Sequence, residues 1–225
     1  MMISPEAFYE EQLAGKNAAQ LLRFIRRTKR RINTLKRIME RPDYKPTVCP
    51  SEDVVLSVER MYLERAKAAL LEAGGDYIPT AAEKRVAEFD AGIPYICRIE
   101  FDIVGFFEGY EKRIFCIEEE RVRFACEGHS VASMPCASEE HEDLDKESFL
   151  EELTDLHIGE WRRKYDLSPY GLIGTDGVQW HLCICYSDGR RPARFCGDNA
   201  YPHNFKRLKE LLGICSFEED ENGED

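Results

Sequence analysis

The spacing of apolar residues switches near Gly92, where the N-terminal helices give way to strands, and that switch constrains the fold more than any other feature. Before it, Ala18, Leu21, Ile25, Thr28, Ile32, Leu35 and Met39 recur at alternating steps of three and four, the heptad seam of an α-helix. At 1.5 Å per residue such a helix is about 33 Å long, and its seam needs a partner. A second helix opens after Pro50, with Ser51 as N-cap and Glu52 and Asp53 in the first turn, where carboxylates favour the helix dipole. It places Val55, Val58, Tyr62, Ala66, Ala69 and Ala73 on one stripe and ends at Gly74-Gly75. Pro42, Pro46 and Pro50 keep the connection non-helical, so the two helices read as an antiparallel hairpin. A shorter helix is expected over 80–89.

After Gly92 the period is two. Over 95–104, Ile96, Arg98, Glu100 and Asp102 alternate with Cys97, Ile99, Phe101 and Ile103, and further runs follow at 110–117 and 121–127, which predicts an antiparallel meander. The span 128–146 is polar, acidic and aperiodic and reads as a loop. Phe149, Leu150, Leu153, Leu156, His157, Trp161 and Tyr165 then mark an amphipathic helix over 146–165. Trp180, Leu182, Ile184 and Tyr186 lead into an Asp188-Gly189 turn, and a two-residue hairpin loop sets Cys185 against Pro192, Cys183 against Arg194 and His181 against Cys196. Pro192 cannot donate to a ladder, so the return strand is expected to be an edge or to carry a bulge. Pro202 is expected to open a last helix over 202–212, closed by Gly213. Asn199 is expected to bond its own backbone as an Asx-turn.

The fold class that results is α+β: an N-terminal antiparallel helical hairpin, then an antiparallel sheet of about five strands covered on one face by two helices. The organisation is a helical hairpin region over 1–91, a sheet domain over 92–215 and an acidic tail over 216–225.

The run Trp180-His-Leu-Cys-Ile-Cys-Tyr-Ser-Asp-Gly189, followed by Gly197-Asp-Asn-Ala-Tyr-Pro202 and Asn204-Phe205, resembles the C-terminal signature of an uncharacterised family of small bacterial proteins. That signature is a Trp-bearing strand, an Asp-Gly turn and a Gly-x-Asn-Ala-Tyr-Pro-x-Asn-Phe junction into a final helix. The resemblance covers about 30 residues, departs from the pattern at Cys183, Cys185 and Pro192, and implies a fold and a bacterial origin but no activity.

Charge narrows the classes of partner. The chain carries −12 overall, yet 23–41 holds nine basic residues against Glu40 alone, a surplus of eight that leaves the remainder at −20. Net negative charge disfavours a general nucleic-acid binder, whose affinity comes largely from phosphate contacts. Arg23, Arg26, Arg27, Arg30, Lys36 and Arg37 flank the buried seam and are expected to form a cationic ridge in solvent, the candidate partner-binding residues of this sequence. The expected partner is a protein or a second copy. The alternative is a nucleic-acid-associated accessory role for the same basic stretch. Nine cysteines, an odd number without a CxxC pair, read as reduced thiols of a cytoplasmic protein. The first residues lack a basic segment followed by an apolar one, and no run approaches about 18 apolar residues, so neither a signal peptide nor a membrane span is expected.

Recognisable chemistry is sparse. His181, Cys183, Cys185 and Cys196 share one face of the hairpin as a Cys3His set, but residues two apart on a strand stand about 6–7 Å apart, whereas sulfurs on one zinc lie under about 4 Å from each other. The set is therefore read as packing, and no metal or cofactor is assigned. Cys196 with His181 is the one thiol–base pair, and nothing orients it as a nucleophile. No catalytic residue is assigned.

Overall fold

The computed structural model describes residues 4–47, 49–105, 109–129, 144–172 and 177–214. The chain divides into two units, Met1–Thr80 and Ala81–Asp225.

In the first unit, α1 (Pro5–Phe8) and a π-helical turn (Tyr9–Leu13) precede α2 (Ala18–Met39) and α3 (Glu52–Glu72). Asn17 caps α2: its Oδ1 accepts from Gln20 N at 3.0 Å, while Gln20 Oε1 accepts from Asn17 N at 2.9 Å. Two donors that a helix start leaves orphaned are thereby satisfied. The pair is antiparallel, since Gly75 lies against Ala18 at one end, Arg31 meets Glu59 midway, and Tyr44 Oη donates to Glu52 at the other. Leu21, Ile25, Thr28, Ile32 and Met39 are buried on α2 as the heptad spacing predicts.

The stripe expected on α3 is corrected. The buried residues are Leu56, Glu59, Leu63, Ala66, Ala69 and Leu70, whereas Val55, Val58 and Tyr62 lie half-buried on the flank and Ala73 is exposed. Leu56, Leu63 and Leu70, seven apart, offer more apolar volume to the seam than the alanines do. Glu59 interrupts their pattern in the sequence, and its carboxylate is accommodated in the seam by Arg31 Nη1 at 3.0 Å. The partner of α2 is thus built on leucine. Phe8 closes the unit by stacking on Tyr62 at 3.8 Å and tilting against Phe24 at 5.6 Å.

In the second unit, α4 (Ala81–Asp90) precedes a sheet of seven strands. These are β1 (Ile96–Gly105), β2 (Gly109–Ile117), β3 (Arg121–His129), β4 (Leu144–Asp145), β5 (Lys164–Tyr165), β6 (Gln179–Tyr186) and β7 (Ala193–Asp198), in the order β4-β3-β2-β1-β6-β7-β5. The meander β1-β2-β3 and the β6-β7 hairpin form as read, with His181 opposite Cys196 and Cys183 opposite Arg194. A bulge between Ile96 and Arg98 puts Ile96 and Ile99 on the same inner face, three residues apart.

Three expectations fail here. The sheet has seven strands rather than about five, and it is mixed, because β5 runs parallel to β7 through Lys164↔Cys196 and Tyr165↔Gly197. The helix expected over 146–165 is α5 (Lys146–Asp155) alone: His157 adopts φ 48, a one-turn helix covers Ile158–Glu160, and the chain then extends into β5. Gly159 has Phe89 against its backbone, a packing that an uninterrupted helix would not allow. The last helix, α6 (Phe205–Leu211), starts three residues after Pro202, because Asn204 turns inward. Asn204 Oδ1 accepts from Trp161 Nε1 at 2.9 Å and Asn204 Nδ2 donates to Leu156 O. Of the loop expected over 128–146, Gly128 and His129 belong to β3, 144–146 to β4 and α5, and the rest lies outside the described residues, as does the acidic tail.

One core holds this unit together. Ile99, Phe101, Phe115, Trp180, Leu182, Ile184 and Phe195 face α5 and α6, which contribute Phe149, Leu153, Phe205 and Leu208, with Trp161 and Tyr165 wedged between. The 197–202 junction follows from Trp180. Its Nε1 donates to Ala200 O at 3.0 Å, and a Cβ on Gly197 would overlap the indole. Asn199, at φ 51, does not close on itself as expected: its Oδ1 accepts from Val178 N at 2.9 Å and its N donates to Val178 O, tying the strand exit to the strand entry.

Candidate protein-docking face

On α2 the heptad that buries one face determines the other. Arg23, Arg30 and Arg37 recur every seven residues opposite the seam, about 10 Å apart along the axis, with Arg26 and Arg27 beside them, and all five are exposed. Lys36 differs: it sits at the flank of the seam, is half-buried, and takes part in an interaction within the protein. Arg27 lies over the Phe24 ring at 5.0 Å, and Arg23 Nε donates to Ala19 O at 3.4 Å. The side chains of Arg26, Arg30 and Arg37 meet no carboxylate among the described residues. Arg31, which sequence reasoning left out of the ridge, takes the carboxylate at hand, Glu59. Burial raises the Glu59 carboxyl above its ordinary value, and the charges of Arg31 and Arg27 oppose that rise.

The same two helices expose apolar side chains: Ile38 is 40% exposed, Val54 46%, Met61 45% and Leu71 69%. Val54, Met61 and Ala68 are seven apart on α3 and lie opposite its buried stripe. The α2–α3 pair therefore offers a row of guanidinium groups in contact with no carboxylate among the described residues, and separate patches of uncovered hydrocarbon.

The soft-ligand cluster does not assemble. His181 is exposed, Cys183 and Cys185 are half-buried with sulfurs 4.0 Å apart, and Cys196 Sγ donates to Arg163 O at 3.7 Å rather than meeting His181. No group of three His, Cys, Asp or Glu among the described residues converges on a metal position. Burial and the neighbouring Cys183 push the Cys185 thiol up to about 11, so it is protonated and unreactive near neutrality. Cys49, Cys97, Cys116, Cys183, Cys185 and Cys196 are free thiols. Among the described residues no helix is long and apolar enough to cross a membrane. No family model, curated protein or solved structure matches this chain.

Proposed function

We propose that this is a non-enzymatic protein-interaction module, cytoplasmic and of bacterial origin, whose helical pair docks on an acidic protein surface through Arg23, Arg26, Arg27, Arg30 and Arg37. The observation that carries the reading is the row of exposed arginines without carboxylate partners, set beside Arg31, which has one. A negative surface is always at hand in a second copy, because the chain outside 23–41 carries −20. Ile38, exposed on α2 beside Arg37, favours a protein over a nucleic acid, whose phosphate backbone has no hydrocarbon to bury against it.

The test is sedimentation velocity on the full chain at low and high salt, with the Arg23→Glu, Arg30→Glu, Arg37→Glu triple variant alongside and labelled duplex DNA and single-stranded RNA as competing ligands. Salt-sensitive self-association lost in the variant, at unchanged far-UV circular dichroism, supports the reading. A monomer at both salt concentrations overturns the second-copy form. DNA or RNA binding that survives about 150 mM salt, with a steep salt slope, overturns the protein reading in favour of the nucleic-acid alternative.

A further inference from the structure

A second basic concentration lies in the sheet unit, on residues that no reading of the sequence brought together. A cleft of about 430 Å³ opens between α4, the segment that follows Glu160, and the β6–β7 turn, a size usual for small-ligand sites. Its apolar wall is aromatic: Phe89, Trp161 and Phe195 are buried rings that meet edge to face, Phe89 to Phe195 at 6.3 Å and Trp161 to Phe195 at 5.7 Å. Its polar wall is Arg85, Arg163, Arg190 and Arg191 against Glu88 alone, a surplus of three positive charges in a chain of net charge −12.

The four guanidinium groups divide by what already holds them. Arg190 is fixed: Nε and Nη2 each lie 2.7 Å from Asp188 Oδ2, and Nη1 donates to Glu88 O at 3.0 Å. Its guanidinium also covers the Tyr186 ring at 5.2 Å. Gly92 permits this approach, since a Cβ there would overlap Nη1. Arg163 is half-committed, with Nη1 on Arg194 O at 3.2 Å and its plane over Phe195 at 4.8 Å. Arg85 and Arg191 are exposed and meet no carboxylate among the described residues. The cleft thus offers two anchored and two uncommitted forks beside an aromatic wall, and a guanidinium fork matches phosphate oxygens two at a time.

We infer that this cleft binds a phosphate monoester borne on a planar aromatic body, of the nucleoside monophosphate class. Charge selects the anion. Asp188 offsets Arg190 and Glu88 offsets one more arginine, which leaves two positive charges for the ligand. That equals a phosphate monoester at about −1.5 to −2 and exceeds a single carboxylate. The rings select the body, because Tyr186, half-buried, and the edges of Phe89, Trp161 and Phe195 that line the cleft offer a planar group contacts that a bare inorganic anion leaves unused.

The experiment is isothermal titration of the full chain with adenosine 5′-monophosphate, adenosine and inorganic phosphate in parallel, with tryptophan emission recorded because Trp161 lines the cleft. The monophosphate is expected to bind about tenfold or more tightly than either fragment and to perturb the emission. The Arg85→Gln, Arg191→Gln double variant is expected to lose about tenfold in affinity at an unchanged melting temperature, since both side chains are exposed. No binding of the monophosphate at millimolar concentration overturns the site. Equal binding of inorganic phosphate overturns the aromatic half, equal binding of adenosine overturns the phosphate half, and undiminished affinity in the double variant overturns the placement in this cleft.

Discussion

Glu59 tests how the helical pair is held together. It sits in the α2–α3 seam at 7% exposure, between Leu56 and Leu63, with Arg31 Nη1 at 3.0 Å reaching it from a side chain that is itself 63% exposed. Replacing it by leucine has three effects. Burying a leucine side chain there contributes about 2 kcal/mol. Removing a carboxylate from a largely dry seam relieves about 1–3 kcal/mol. Losing the ion pair costs about 0.5–1 kcal/mol, because the arginine remains in solvent. Allowing for imperfect packing of the new side chain, the Glu59→Leu variant is expected to be more stable by about 1–3 kcal/mol, in line with other buried ion pairs replaced by hydrocarbon. Urea unfolding separates the two units in one sample. Far-UV ellipticity is dominated by the 22 and 21 residues of α2 and α3, whereas both tryptophans, Trp161 and Trp180, lie in the second unit and report on it by emission.

A pH series checks the cause. Burial raises the folded-state pKa of Glu59 above 4.5, so the native protein holds this proton more tightly than the unfolded chain does. The destabilising contribution of the carboxylate is fully present above the raised value and fades as pH falls through it toward 4.5. The advantage of the leucine variant is therefore expected to shrink between about pH 7 and about pH 4. A leucine variant destabilised by more than about 1 kcal/mol, or an advantage that grows on acidification, would show that the ion pair is a net stabiliser and that the reasoning is wrong.

Asn204→Ala strands the buried Trp161 Nε1 and the carbonyl of Leu156, and is expected to cost about 2–4 kcal/mol in a tryptophan-detected melt; a loss below about 0.5 kcal/mol would mean that water replaces the amide. Iodoacetamide at about pH 8, followed by mass spectrometry, is expected to label the exposed Cys116 faster than Cys185, whose thiol is pushed up to about 11 by burial and by Cys183; Cys185 reacting first would contradict that ordering.

What the sequence made legible was whatever a local period encodes. The seam of α2, the meander, and the register of the Asp188-Gly189 hairpin each follow from side chains whose alternation of three, four or two persists over many residues. The ridge was legible for the same reason, since a heptad that buries Leu21, Ile25 and Ile32 leaves Arg23, Arg30 and Arg37 on the far side. Leu156, Trp161 and Tyr165 mimic helical spacing, but they reach one core from the C-cap of α5, the exit of a one-turn helix and a strand whose pairing with β7 lies about thirty residues away. No local signal marks that change. The face of α3 was misplaced because Glu59 interrupts the leucine heptad, and its carboxylate is accommodated there by arginines of the opposite helix, Arg31 in contact and Arg27 by its charge. The arginine cleft stayed hidden because its walls come from three separate segments, around Arg85, Trp161 and Arg190.

The two-residue strand β5 has a consequence for how the molecule meets others. It covers β7 at Cys196 and Gly197, where Cys196 N donates to Arg163 O, while the side chain of Arg163 reaches back to the carbonyl of Arg194. An incoming extended segment that tried to join at this margin would find donors and acceptors already taken by a rung too short to serve as a template itself. Strand exchange and fibre growth are obstructed there by a dipeptide and one guanidinium.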